Sequence, residues 1–458
     1  AKLVETPFWK IKARIYAFKG LQELNSYAFR RYPDNRQISL IGATLTGNQG
    51  AAAMLETSIG EVSKRYPEAN FVIHSYFPEA DRAACSAPNI RVVDASPKAL
   101  VLSFVPAFID GLVRRIGLRL PNMLLPESLR EIRNSSALLD VSGIALADGR
   151  EKFLPFNLLC NWPAMLVGTP VVKLAQAMGP ANKSLTRFTS KFIFKRTHKI
   201  FARGEKTMDL IKDTAPEDRR AIAADIAFLY KEHYALLPQW SDKLDDLTRS
   251  ITDSAEDTIA ISVSSVMAGL VEKTGQDYID AIAIMVERLV ADGYRVVVFP
   301  NACREGTDST RNNDIPIIEA LREKLNPGLD RVHLVTHVVN TAAIRRLLAA
   351  CDALISSRFH AMVAALSLGT PTLVLGWSHK YQEVMAMFGT EGHFLGTEDM
   401  KIEKISAAVS ELLSNRETLR AELAESRNAV EALSASQFDW LDAFLQPEFE
   451  ASEKDVEA

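Results

Sequence analysis

The chain has 458 residues, 47% hydrophobic and 24% charged, which is enough for two or three domains with real cores and excludes a small module, a disordered chain or a coiled-coil array. Its 53 basic and 57 acidic residues give a formal charge of -4, so no chain-wide positive field holds nucleic acid, and no nucleic-acid partner is expected. The four cysteines, Cys85, Cys160, Cys303 and Cys351, form no C-x-x-C pair; this excludes a disulfide framework or zinc knuckle and predicts reduced, core-type thiols.

Residues 1–37 form a basic amphipathic segment. Up to Arg36 it carries eight basic residues against three acidic ones, interleaved with Phe8, Trp9, Ile11, Ile15, Tyr16, Phe18 and Leu21. Two readings are open. The segment docks peripherally on the inner face of the cytoplasmic membrane, helped by Phe104, Phe108, Arg114, Arg115 and Arg119, or it covers the first domain's core with its charges solvated. The most apolar stretch, ALVLSFVPAFIDGLV, is short and broken by Pro106 and Asp110, so the chain is expected to be cytoplasmic and not membrane-spanning.

From residue 38 short β-branched runs alternate with longer amphipathic ones: ISLIGA, a helical AAAMLETSIGEVSKRY, NFVIHSYF, IRVVDA, SALLDVSG, TPVVKLAQ, SLTRFTSKFIFKRT and HKIFAR. This predicts a first domain over 38–234, and the polar, turn-rich stretch 235–257 reads as a linker. A second strand and helix series, opening with TIAISVSSV and closing with TPTLVLG, predicts another domain over 258–400; helices at 401–446 and an acidic tail at 447–458 follow. The fold class is α/β, with two doubly wound Rossmann-like domains facing across a cleft. Open parallel sheets bind ligands beyond the carboxyl ends of their strands, so function should sit on post-strand loops.

Four loops carry chemistry-bearing residues. Gly47, Asn48 and Gly50 lie between ISLIGA and the next helix, where free N–H groups would face an anion or polar sugar; a tight turn is the alternative. After SALLD comes VSGIALADGR, in which Asp148 or Asp140 would take a proton from a substrate hydroxyl, unless Asp148 merely forms the turn before Gly149. Arg203 follows KIFA, where an isolated surface arginine is the bland expectation. Ser356 or Ser357 would cap the helix after ALI, placing Arg358 and His360 in its first turn. Cations are unfavourable there unless an anion offsets them. His379 and Lys380 follow the next strand, so two consecutive loops supply cations to one candidate anion site. No metal-ligand spacing is visible, and no metal or cofactor is expected.

The early TGNQG loop, the DVSGIALAD stretch, FARGEK, DIAFLY and ISSRFHAMVAALSLGTPTLVLGWSHKY together resemble the polysaccharide pyruvyl transferase family over residues 38 to 390. That resemblance implies two Rossmann-type domains in a glycosyltransferase-B-like arrangement. It also implies transfer of the pyruvyl group of phosphoenolpyruvate to a sugar as a ketal, with phosphate released. The acceptor would be a glycan or a lipid-linked saccharide. By the same resemblance His360 is the functional histidine and Arg203 an arginine for the donor. Phosphoenolpyruvate needs fixed cations, for which Arg203, Arg358 and Lys380 are the candidates; His360 is the expected general acid and Asp148 the base. Two positions depart from the family pattern: Ala51 replaces an acid in the first loop, and Ser142-Gly143-Ile144 replaces a triple glycine. The alternatives are a nucleotide-sugar glycosyltransferase of the same build and a non-catalytic glycan-binding scaffold.

Overall fold

A computed structural model describes residues 36–304 and 313–456; the basic amphipathic segment, up to residue 35, lies outside them. In chain order the first domain contains β1 (Gln37–Ile41), β2 (Gly47–Asn48), α1 (Gln49–Arg65), β3 (Asn70–Ser75), α2 (Pro78–Ala84) and β4 (Ile90–Asp94). Then come α3 (Pro97–Arg114), α4 (Glu127–Asn134), β5 (Ala137–Asp140), β6 (Ile144–Ala145), α5 (Leu154–Val167) and β7 (Val171–Met178). The domain closes with α6 (Ser184–Phe194), β8 (Lys199–Arg203), α7 (Glu205–Ile211) and β9 (Arg220–Ala223). Every residue of β1, β5 and β7 is buried, because helices cover both faces of the sheet and its strands can be apolar throughout.

The first sheet is parallel in the order β4-β3-β1-β5-β7-β8-β9, with β6 on β7. The order in which strands are added reverses at β1, whose Ile38 pairs with Phe71 on one side and Ala137 on the other. This is the switch point where a crevice opens beyond the strand ends.

The stretch expected to be a linker is ordered: a 3-10 turn over Pro238–Leu244 leads into α8 (Asp245–Thr252), and Leu244 and Ile251 are buried with Phe299, Val339 and Leu347. Those two apolar residues in a polar run dock it on the second domain. That domain contains β10 (Thr258–Val263), α9 (Ser265–Val271), α10 (Tyr278–Ala291), β11 (Arg295–Pro300), β12 (Ala302–Cys303), α11 (Ile315–Lys324) and β13 (Val332–Leu334). It continues with α12 (Thr341–Ala350), β14 (Ala353–Ser356), α13 (Phe359–Leu368), β15 (Thr372–Leu375), α14 (His379–Ala386), β16 (Phe394–Leu395) and α15 (Ile402–Ser414). Its sheet is parallel in the order β13-β11-β10-β14-β15-β16, again reversing beside the first strand.

The last helix, α16 (Arg416–Val456), leaves the second domain and packs on the first. Its Leu423, Val430, Phe438, Leu441, Leu445 and Phe449 share one buried cluster with Phe201, Ala223 and Phe228. The sequence led us to expect a detached acidic tail from residue 447, whereas the backbone stays helical to Val456 and Phe449 packs edge-on against Tyr66 at 4.6 Å. The same cluster includes Phe359, Met362, Tyr381, Val384 and Phe388, so the two domains share a core; burying each such side chain contributes about 1.5–3 kcal/mol. Between the domains β2 pairs antiparallel with β12, Gln49 N donates to Asn301 O at 3.0 Å, and Thr341 Oγ1 donates to Gln49 O at 2.8 Å.

Glu56 on α1 is 1% exposed, and its Oε1 accepts from Leu236 N at 2.8 Å. Burial pushes its carboxyl up to about 7, outweighing the hydrogen bond that favours the charged form. A folded value above the unfolded one means the native state holds the extra proton, so stability falls as pH rises from about 4.5 through 7. Glu56→Gln should therefore change little at pH 5 and stabilise by up to about 3 kcal/mol at pH 8, as read from denaturant midpoints.

Candidate active site

The site is built where strands from both sheets run out. Arg203 ends β8 and is 2% exposed. Its neighbour in register across β9 is Ala223, so the turn after β9 carries Asp225 to its side. Arg203 Nη1 donates to Asp225 Oδ2 at 2.6 Å, and Nη2 donates to Gly143 O at 3.1 Å. Asp225 Oδ1 accepts from Ala227 N at 3.0 Å, and Ser434 Oγ of α16 donates to the Asp225 carbonyl at 2.8 Å, which fixes the turn from behind. The bland alternative, an isolated surface arginine, does not hold: Arg203 is buried and held by a carboxylate that the sequence did not single out. DIAFLY was visible as a motif; the contact needed the β8–β9 register.

His360 enters from the second domain in the first turn of α13. Its Nε2 lies 3.6 Å from Asp225 Oδ2, beyond hydrogen-bond length, and has no hydrogen-bond partner among the described residues. Gly50 faces the other side of the ring, and a Cβ there would overlap the imidazole, which explains a glycine in the first turn of α1. Burial lowers the His360 pKa and Asp225 raises it; with Arg203 and Lys380 also lowering it, the net shift is downward and the resting ring is neutral at pH 7. Asp225 is held well below the usual carboxylate range: burial opposes this, but the His360 and Arg203 charges outweigh it.

Arg358 is not in the first helical turn but at the N-cap position of α13, and neither serine caps the helix. Ser356 Oγ instead donates to Arg358 O at 2.8 Å, and Ser357 Oγ is bonded to Tyr278 OH at 2.8 Å in the interior. Arg358 forms a two-pronged pair with Asp314, with Nε to Oδ2 at 2.9 Å and Nη2 to Oδ1, and its Nη2 also meets Ser265 Oγ at 3.2 Å. The anion that offsets Arg358 is therefore supplied by the chain itself, and Asp314 outweighs burial in raising its pKa.

Lys380 differs. The sequence placed His379 and Lys380 on a loop, whereas they open α14. The Lys380 ammonium lies 4.8, 4.9 and 5.2 Å from the ring centres of Phe359, Trp377 and Tyr381, and Arg203 sits 4.4 Å from the ring centre of Phe359. Among the described residues no carboxylate lies within ion-pair distance of Lys380. Burial, then the charges of Arg203, Arg150 and Arg358, hold its pKa well below the ordinary lysine value, with Asp225 opposing. Burial and the charges of Lys206, Lys380 and Arg203 likewise lower His379. Arg150, which the sequence did not select, thus belongs to this positive field.

The remaining candidates make contacts within the protein. Asp148 Oδ2 accepts from Asn182 N at 2.7 Å and Lys183 N at 3.4 Å, tying the β6 loop to the start of α6. Asp140 is buried against Lys173, with Asn161 Nδ2 at 3.0 Å and Ser142 N at 3.0 Å. Asn48 Oδ1 caps α1 by accepting from Gly50 N at 3.0 Å and Ala51 N at 3.4 Å, and Gly47 pairs with Cys303 across the domains. The N–H groups expected to cradle an anion are therefore already engaged, and this loop joins the domains.

Two parallel-sheet domains meeting at their strand ends, with a charged crevice between them, define a glycosyltransferase-B-like protein. Solved structures agree on the fold. UDP-GlcNAc 2-epimerase of Neisseria meningitidis is similar at 14% identity and TM-score 0.50, over 90% of this chain and 100% of that one. UGT71G1 of Medicago truncatula is similar at 12% identity and TM-score 0.52, over 91% of this chain and 100% of that one. The family model for polysaccharide pyruvyl transferase matches residues 48–379, and the chain belongs to that transferase family. Among the described residues no helix is long and apolar enough to cross a membrane.

Proposed function

We propose that the chain transfers the pyruvyl group of phosphoenolpyruvate to two hydroxyls of one sugar in a glycan or lipid-linked saccharide, forming a ketal and releasing phosphate. The observation that carries this reading is Lys380. Its amine lies among the Phe359, Trp377 and Tyr381 rings with no carboxylate at ion-pair distance among the described residues, and burial with the charges of Arg203, Arg150 and Arg358 lowers its pKa, so a small polyanion would stabilise its charged form. Lys380, His379 and Arg150 would take the carboxylate and phosphate oxygens, while Arg203 and Arg358, already paired, hold the crevice walls.

A neutral imidazole suits the start of the reaction. His360 relays the proton of the attacking hydroxyl to the methylene carbon as the hydroxyl oxygen bonds to the central carbon, so the C=C electron pair becomes the new C–H bond and no free carbanion forms. Asp225, 3.6 Å away, stabilises the transient imidazolium. The second hydroxyl displaces phosphate, which leaves with the second proton, so atoms and charge balance without an oxidant. In this scheme Asp148 anchors the loop and is not the base.

Incubation with phosphoenolpyruvate and a panel of bacterial glycans should yield pyruvylated sugar by mass spectrometry, with equimolar phosphate. Thermal protection by a nucleoside-diphosphate sugar, with none by phosphoenolpyruvate, would overturn the assignment. Lys380→Met should raise the KM for phosphoenolpyruvate about tenfold or more, equivalent to roughly 1.4 kcal/mol, and leave the acceptor KM in place. An effect on the acceptor alone would put the donor elsewhere in the cleft.

A further inference from the structure

Helix α3 is built inside out, and the N-terminal half of α6 adds to its exposed apolar surface. On α3 the inward positions are Leu100, Ser103, Ala107 and Asp110, mostly small or polar, whereas Val101, Leu102, Val105, Phe108, Ile109 and Leu112 are 44–60% exposed. Those positions share one face of the helix. On α6, Thr186, Thr189 and Ser190 are buried with Ile193 and Phe194 further along, while Leu185 and Phe188 are 61% and 69% exposed. Rings bridge the two helices: Phe104 to Trp162 at 4.8 Å and Trp162 to Phe192 at 4.9 Å. With Ile116, Met123 and Leu124, this face holds eleven of the fourteen large apolar side chains exposed among the described residues. Apolar surface concentrated in this way marks an interaction site.

Its charge selects the partner. Residues 152–204 contain no Asp or Glu, and between 95 and 126 the one acid is Asp110, turned inward against Arg133. Lys98, Arg114 and Arg115 are exposed on α3, and Arg187, Lys191 and Lys195 on or beside α6. A second copy would bring the same positive face, and residues 1–35, seven basic against three acidic, are positive as well. Like charge disfavours both as a cover.

We propose that this face docks on an anionic lipid bilayer, with the α3 and α6 apolar side chains in the interface and the basic residues at phosphate depth. The docking goes beyond the assigned reaction and does not depend on it. Asp148 ties the start of α6 to the segment after β6, and Gly143, just before β6, accepts from Arg203.

The test is co-sedimentation of the full chain with vesicles of phosphatidylcholine alone or mixed with phosphatidylglycerol. Binding to the anionic vesicles should be about tenfold stronger or more at low salt and be released by raised salt. Phe108→Glu with Phe188→Glu, and separately Arg114→Glu with Arg115→Glu, should each weaken it about tenfold without moving the melting temperature, since these side chains are exposed. Absent binding at low salt, equal binding to neutral vesicles, or binding unchanged in both variants overturns the proposal. So does light scattering that shows a dimer dispersed by Phe108→Glu.

Discussion

His360→Ala is expected to lower kcat by about 10²- to 10⁴-fold while costing only about 1–2 kcal/mol of stability. The imidazole is 15% exposed and its Nε2 makes no hydrogen bond to the described residues, so truncation strands no partner among them and leaves only a shallow gap beside Gly50. Near-normal turnover by a folded variant would remove His360 from the chemistry. The pH profile gives a second reading. A base must be neutral, and burial with Arg203 and Lys380 sets the ring below its ordinary 6.5 despite Asp225. The acid limb of kcat/KM should therefore fall below pH 6.5, and Asp225→Asn, by removing the opposing charge, should move it lower still. A limb at or above 6.5 would contradict the assigned proton flow.

The largest stability effect is expected at Asp225. Its carboxylate accepts from Arg203 Nη1 at 2.6 Å and from Ala227 N at 3.0 Å in a fully enclosed turn. Asp225→Ala leaves the Arg203 guanidinium buried without its counter-charge and should destabilise by about 3–5 kcal/mol in denaturant titration. Double substitution with Arg203→Met should recover part of that loss, because no unpaired charge then remains. The sign with pH follows from a folded pKa below the unfolded one: the contribution is present above the unfolded carboxylate value and is lost as pH falls toward the folded value. The gap between wild type and Asp225→Ala should thus narrow only under strongly acidic conditions. A loss under about 1 kcal/mol at neutral pH would show that Asp225 does not hold the charge of Arg203.

The sequence by itself determined the alternation of strands and helices and the two-domain α/β build, because an apolar run in a covered parallel sheet and the 3.6-residue period of its crossover helices are local properties. QISLI, RVVVFP and TLVL could be read as strands from their own residues. His360 was a candidate because it lies just past a strand, where parallel sheets bind ligands, and Arg203, at a strand end, was singled out by the family resemblance.

What only the tertiary structure decided was which charges meet. Arg203 and Asp225 are 22 residues apart and join through strand register, Arg358 and Asp314 are 44 apart, and His360 reaches Asp225 from another domain. An isolated Arg in a sequence carries no sign of whether a carboxylate will neutralise it, because a hydrogen bond of 2–3 Å is set by packing and not by spacing along the chain. The same reason explains why the backbone N–H groups that Asp148 meets at the start of α6 could not be read from its place after a strand, nor could the lack of a carboxylate at ion-pair distance from Lys380 among the described residues.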